Sequence, residues 1–176
     1  MFVWIGCKLP ENFEQELRSL CLSRNERLGL DTVAFSLPQH ISLKISFETG
    51  QPEAVLEGLA AWLGKQMPFS VHVRNPEQAG NILWLPIAEN QELERLHSEL
   101  DARLAREFDV PQHPFDKAFL FHSTLFMDED ADKIAAMRRL LADYPMEREL
   151  QVDTFLLGLS ETGKAGSYRV VRQIKV

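Results

Sequence analysis

Apolar residues recur along this chain of 176 residues with two periods. Short stretches alternate apolar and polar or run almost continuously apolar, which predicts strands. Longer stretches place apolar residues three and four positions apart, which predicts helices. Phe2 to Leu9 reads as a strand. Asn12 to Arg24 reads as a helix with Phe13, Leu17, Leu20 and Cys21 on one face. A loop with Gly29 and Pro38 covers Asn25 to Gln39, and Gln39 to Phe47 predicts the next strand. Side chains of a strand point alternately to its two faces. His40, Ser42, Lys44 and Ser46 are therefore expected on one side, with Ile41, Leu43, Ile45 and Phe47 toward the core. After the turn Thr49 to Pro52, with proline suited to a first helical turn, Glu53 to Lys65 reads as a helix. Phe69 to Arg74 reads as a strand, and Asn75 to Asn81 as a turn.

The second half repeats this order. Ile82 to Ala88 predicts a strand. Asn90 suits the N-cap of a helix reaching Phe108, with Leu93, Leu96, Leu100 and Leu104 apolar. Asp109 to Asp116 is a loop with two prolines, Ala118 to Met127 a strand, and Asp130 to Tyr144 a helix. Leu150 to Leu159 and Tyr168 to Val176 close the chain as two strands around the Gly163 to Gly166 turn. Trp4 precedes His40 by the spacing, within two residues, at which Trp84 precedes His122. The chain thus reads as one α+β domain over 1–176, made of duplicated halves near 1–80 and 81–176. A pseudo-two-fold between them would bring the two motif strands together in a central cleft.

Those two strands carry the candidate chemistry. His40-Ile41-Ser42-Leu43 and His122-Ser123-Thr124-Leu125 share the pattern H-x-[S/T]-L. With composition as background, a given histidine has this context with a probability of roughly 0.01. Two occurrences among five histidines then arise by chance about once in a thousand chains. Either pair alone is more commonly two satisfied polar strand residues; the repeat within a duplicated layout favours a site. On each strand the imidazole and the hydroxyl share a face. Two histidines can supply a general base and a general acid, and two hydroxyls can hold a phosphoryl oxyanion between them. Phosphate-ester chemistry of this kind needs no metal or other cofactor.

Net charge is −7 and no run of Lys or Arg exists, so a long duplex is not the expected partner. No apolar run reaches the ~18 residues of a membrane span, and the first residues do not read as a signal peptide. Cys7 and Cys21 read as reduced, buried residues of a cytoplasmic, monomeric protein. No zinc-type spacing and no phosphate-binding glycine loop is present. His97 falls on the polar side of a charged helix and is expected in solvent, and His72 is an outward strand residue. His113 lies in a loop that could border the cleft, and Arg169 reads as surface.

The two motifs, the Trp84 strand and a closing strand starting near Tyr168 resemble the 2H phosphoesterase superfamily. The nearest branch is that of 2′-5′ RNA ligases and RNA 2′,3′-cyclic phosphodiesterases, and the likeness covers nearly the whole chain. It implies a two-lobed fold with the motifs lining a central cleft and metal-free action on cyclic or 2′-5′ phosphodiesters of nucleotides or RNA 3′ ends. His40 and His122 would be catalytic, with Ser42, Thr124, Lys44 and Tyr168 as substrate ligands. Many members of the branch have proline before the second histidine and a basic residue after that motif; here Phe121 and Met127 stand there. A module of this fold that binds a nucleotide without turnover is the alternative.

Overall fold

The N-terminal apolar run forms strand β1 (Phe2–Lys8), and its buried face seeds the first sheet. The computed structural model describes all residues from Met1 to Val176. Helix α1 (Glu11–Asn25) follows, with Phe13, Leu17 and Cys21 buried along one side. A single 3₁₀ turn at Val33–Phe35 leads to β2 (His40–Ser42) and then β3 (Phe47–Glu48). Both strands pair antiparallel with β1, in the registers Lys8↔His40, Gly6↔Ser42 and Phe2↔Glu48. Helix α2 (Pro52–Leu63) begins with its proline at the first turn and leads to β4 (Phe69–Val73).

The second half opens with a hairpin of β5 (Glu77–Ala79) and β6 (Ile82–Pro86). In helix α3 (Gln91–Phe108) the Asn90 side chain caps the start, accepting from the Leu93 amide at 3.1 Å. Asp109 ends it in the left-handed region at φ 53°, which aspartate tolerates better than most residues. A 3₁₀ turn at Pro114–Ala118 precedes β7 (His122–Met127), which pairs antiparallel with β6. Helix α4 (Ala131–Leu141), β8 (Arg148–Val152), β9 (Thr154–Ser160) and β10 (Arg169–Lys175) complete the chain.

The first sheet has the order β10-β9-β1-β2, with β3 also on β1. The second is β5-β6-β7, and the pair β4-β8 is tied to it by a bridge between Val73 and Ile87. Strands from the end of the chain therefore complete the sheet of the first motif, while β4 joins the strands of the second half. One continuous core joins both, from Val3 and Ile5 through Leu59, Leu85 and Leu100 to Phe155. The expected α+β architecture is present.

Three sequence expectations need correction. The Gln39–Phe47 strand is interrupted: the chain bends at Leu43 and Lys44, because Lys44 turns into the interior toward two carboxylates. The supposed turn at 75–81 contains β5, a short, largely polar strand without an apolar period. The Leu150–Leu159 run is two strands in different sheets, parting at Asp153. No helix is long and apolar enough to cross a membrane.

Candidate active site

Strands β2 and β7 lie side by side, one from each half. They are cross-linked beneath the surface by the Ser123 hydroxyl, which donates to the Gln39 side-chain oxygen Oε1 at 2.9 Å. Ile41, Leu43, Leu125 and Phe126 are buried behind them, which holds the alternate residues His40, Ser42, His122 and Thr124 at the opposite face. His40, Ser42, His122 and Thr124 keep the side that the alternation predicts, whereas Lys44 leaves it.

The two histidines are fixed in the same way. His40 Nδ1 lies 2.7 Å from the Pro38 carbonyl and His122 Nδ1 lies 2.7 Å from the Leu120 carbonyl, each two residues upstream. A carbonyl oxygen only accepts, so Nδ1 carries the hydrogen in each ring. The neutral rings then offer the Nε2 lone pair as a base. Neither Nε2 has a protein partner, while every fully buried polar side-chain atom has one, so both Nε2 atoms are open to solvent. Each ring also packs on a tryptophan of the neighbouring strand, with centroids 4.3 Å apart for Trp4 and His40 and 4.3 Å for Trp84 and His122.

Beyond this shared frame the surroundings differ. Burial pushes the His40 imidazole down to about 4, against the opposing Pro38 hydrogen bond, and the charge of His122 lowers it further. Burial also lowers His122, with the Leu120 hydrogen bond opposing. His40, Thr124, Trp4, Met127 and Tyr168 border a small cavity of about 160 Å³. His122, Trp84, Phe119 and Phe121 border a wider one of about 380 Å³.

The Ser42 hydroxyl is free to donate. Trp4 Nε1 donates to Ser42 Oγ at 3.2 Å, so the serine accepts from the protein and keeps its own hydrogen for a ligand. Trp4 itself is seated by glycines. A Cβ at Gly6 would come within 2.8 Å of the indole and 3.3 Å of the His40 ring, and one at Gly158 within 2.6 Å of the indole. Neither Trp4 nor Gly6 stood out as a site residue in the sequence. The similar Trp-to-His spacing in the two halves was the available signal.

Lys44 is not at the cleft. It is buried, with Nζ 2.5 Å from Asp101 Oδ1 and paired with Asp116 as well, so both of its neighbours are protein carboxylates rather than a ligand. Burial raises the Asp116 carboxyl, but the Lys44 hydrogen bond, the His113 amide and the Lys44 charge together hold it below the usual carboxylate range. His97 is also buried, contrary to the expectation of a solvated ring. Its nitrogens lie 2.7 Å from the Leu43 carbonyl and 3.0 Å from the Asp116 carbonyl. Lys44, Asp101, Asp116 and His97 thus tie the exit of the first motif strand to α3 and to the approach to the second. Tyr168 does border the His40 cavity, with its hydroxyl 3.3 Å from the Gly163 carbonyl. His113 caps the 3₁₀ turn before β7, His72 points outward beside Glu147, and Arg169 is exposed. Burial pushes the Cys21 thiol up to about 12 and raises Cys7 as well. No group of three or more His, Cys, Asp or Glu side chains is placed to hold a metal ion.

Comparison with known proteins bears on this geometry. Residues 10–163 match the family described as the 2′-5′ RNA ligase superfamily. No curated protein matches the chain. Among solved structures it is similar to TT0787 of Thermus thermophilus, with 19% identity and a TM-score of 0.67 over 99% of this chain and 97% of that one. It is similar also to E. coli LigT in apo form, with 15% identity, a TM-score of 0.64, and coverage of 99% and 96%. LigT complexed with 3′-AMP aligns at 17% identity and a TM-score of 0.57, over 99% and 96%.

Proposed function

The chain belongs to the 2′-5′ RNA ligase superfamily, and from that premise we propose that it is a metal-independent phosphodiesterase acting on 2′,3′-cyclic phosphates of nucleotides or RNA ends. The observation that carries the reading is the matched pair of imidazoles. Each is fixed through Nδ1, each has Nε2 without a protein partner, and each stands beside a hydroxyl on the same strand face. A solved relative of the same fold, LigT, has been crystallised with 3′-AMP, a ligand of the same chemical class.

His40 is the general base in this reading. It sits deeper, its pKa is about 4, and it is neutral at physiological pH with Nε2 free. Nε2 takes a proton from water, and the water oxygen attacks phosphorus. The bond from phosphorus to the ribose 3′-oxygen breaks, and His122, protonated on Nε2, gives that oxygen its proton. The product is the 2′-phosphate. Ser42 and Thr124 donate hydrogen bonds to the non-bridging oxygens, where negative charge builds up as the attack proceeds. With an RNA 5′-hydroxyl in place of water, the same steps join two ends through a 2′-5′ bond.

The test is hydrolysis of the four nucleoside 2′,3′-cyclic phosphates with EDTA present, resolving 2′- from 3′-phosphate products. Acid–base help is worth roughly 10²–10⁴ in rate, so His40→Ala and His122→Ala should each lose about a hundredfold or more while still binding the nucleotide. Turnover that survives in either variant would remove that histidine from the mechanism. A protein that binds all four nucleotides and turns over none would be the binding module instead.

A further inference from the structure

The walls around the two histidines differ from a site built for a polyanion. The His40 cavity is bordered by Trp4, Leu37, Met127, Tyr168 and small residues, with no lysine or arginine among them. The His122 cavity has none either, and it carries three carboxylates, Glu77, Glu89 and Glu94. All three are exposed, and none is paired with a basic side chain; the nearby Arg95 is taken by Glu92 and Glu99. Glu77 stands opposite Trp84, and Trp84 opposite Thr124, so these three form a row across β5, β6 and β7. Two strand spacings separate Glu77 from the candidate phosphate-binding hydroxyl, about 10 Å. That is one Debye length at ~0.1 M salt.

Of the basic residues nearby, Lys8 and Arg95 are paired with carboxylates, while Arg74, Lys117 and Arg169 make no ion pair but border neither cavity. Lys8 is opposite His40 on β1, but its Nζ lies 2.7 Å from Glu11. Lys117 lines the neighbouring groove along α3, which meets the His122 cavity at Glu94, Phe119 and Phe121. Arg169 lines a separate hollow with Ser160 and Thr162. The remaining wall of the His122 cavity is apolar and aromatic: Trp84, Phe119, Phe121 and Leu120, the last 68% exposed. Such a wall suits the flat, uncharged face of a nucleobase.

Resting on the phosphodiesterase reading above, we propose that this site takes substrates bearing a single phosphate, nucleoside 2′,3′-cyclic monophosphates, and that Glu77, Glu89 and Glu94 discriminate against any that carry a further phosphate. The one phosphate at the reacting centre is met by Ser42, Thr124 and the protonated histidine. A second phosphate, whether a nucleotide's 5′-phosphate or the next linkage of an RNA strand, finds no lysine or arginine in either cavity and meets repulsion from the carboxylates.

The experiment compares kcat/KM for adenosine 2′,3′-cyclic monophosphate with that for the same nucleotide bearing a 5′-phosphate, with EDTA, at low and moderate salt. The native protein should prefer the first by about tenfold or more at low salt. Salt should raise the rate with the 5′-phosphorylated substrate, since screening weakens repulsion. In the combined variant Glu77→Gln, Glu89→Gln, Glu94→Gln the ratio between the two substrates should narrow to within about threefold. The ratio is the readout because any effect on His122 itself acts on both substrates alike. Equal kcat/KM for the two, or a rate with the 5′-phosphorylated one that falls with salt, overturns the discrimination and leaves the phosphodiesterase reading standing. No turnover of either overturns that reading and the discrimination with it.

Discussion

The His40 and His122 strands are built on one local plan and set in unlike surroundings. Each ring donates through Nδ1 to the carbonyl two residues back and packs on a tryptophan from the adjacent strand. On the His40 side the tryptophan is buried between glycines and hydrogen-bonds the motif hydroxyl. On the His122 side Trp84 is only partly buried, and Thr124 has no protein hydrogen bond to its hydroxyl. The local plan fixes which nitrogen faces the cleft. The surroundings decide how easily that nitrogen is charged and what can approach it. The local plans are alike, and unequal burial makes the two rings unlike in how readily each is charged.

The two strands share one foundation, and removing it gives the largest expected effect. Taking one partner from a buried ion pair costs roughly 3–5 kcal/mol. Lys44→Met should therefore lower the melting temperature by about ten degrees, at ~2–4 °C per kcal/mol for a chain this long. A loss of substrate affinity with unchanged melting would instead return Lys44 to the cleft. Next comes the tryptophan pair. Trp4→Phe keeps the ring but removes the donor to Ser42, and a hydrogen bond of ~0.5–1.5 kcal/mol corresponds to a two- to tenfold drop in kcat/KM. Trp84→Phe should fall less than the first. Equal losses would break the asymmetry.

The smallest effect is a displacement along the pH axis. The profile of kcat/KM reports the free protein's groups. His40 must be neutral to act as base, so the rising limb should lie near pH 4. His122 must be charged to act as acid, and its pKa is below 6.5, so the falling limb should lie below that value. The maximum is then expected between them, on the acid side of neutrality. A bell centred above pH 7 would show that the roles or the burial of the two rings differ from this assignment.

The two matched strands and the shared face of their histidines and hydroxyls were legible in the sequence because the H-x-[S/T]-L spacing matches the period of a strand and occurs twice. Alternation failed at Lys44. It assumes that a strand continues, and here two carboxylates brought from α3 and from the turn before β7 draw the lysine inward. Helical periodicity likewise set His97 on a polar face, and no local pattern records that the same turn packs over that face and buries it. Strand β5 was missed because Glu77, Gln78 and Ala79 carry no apolar signal of their own. The Trp84 row gives these residues their place through pairing across the sheet, which only the folded chain reveals.

The sheet that holds the first motif is finished by strands from the far end of the chain: Cys7 on β1 is paired with Phe155 on β9. During synthesis, β1, α1 and β2 emerge long before β9 and β10 exist, and β1 is left with one open edge. Such long-range pairing is slow to form, and an exposed apolar edge invites association with other chains. A nascent chain halted before residue 154 would thus carry both motifs with the His40 side still incomplete. The His40 side is complete only once residues 154–175 have joined the sheet, and until then its open edge is a surface at which chains can associate.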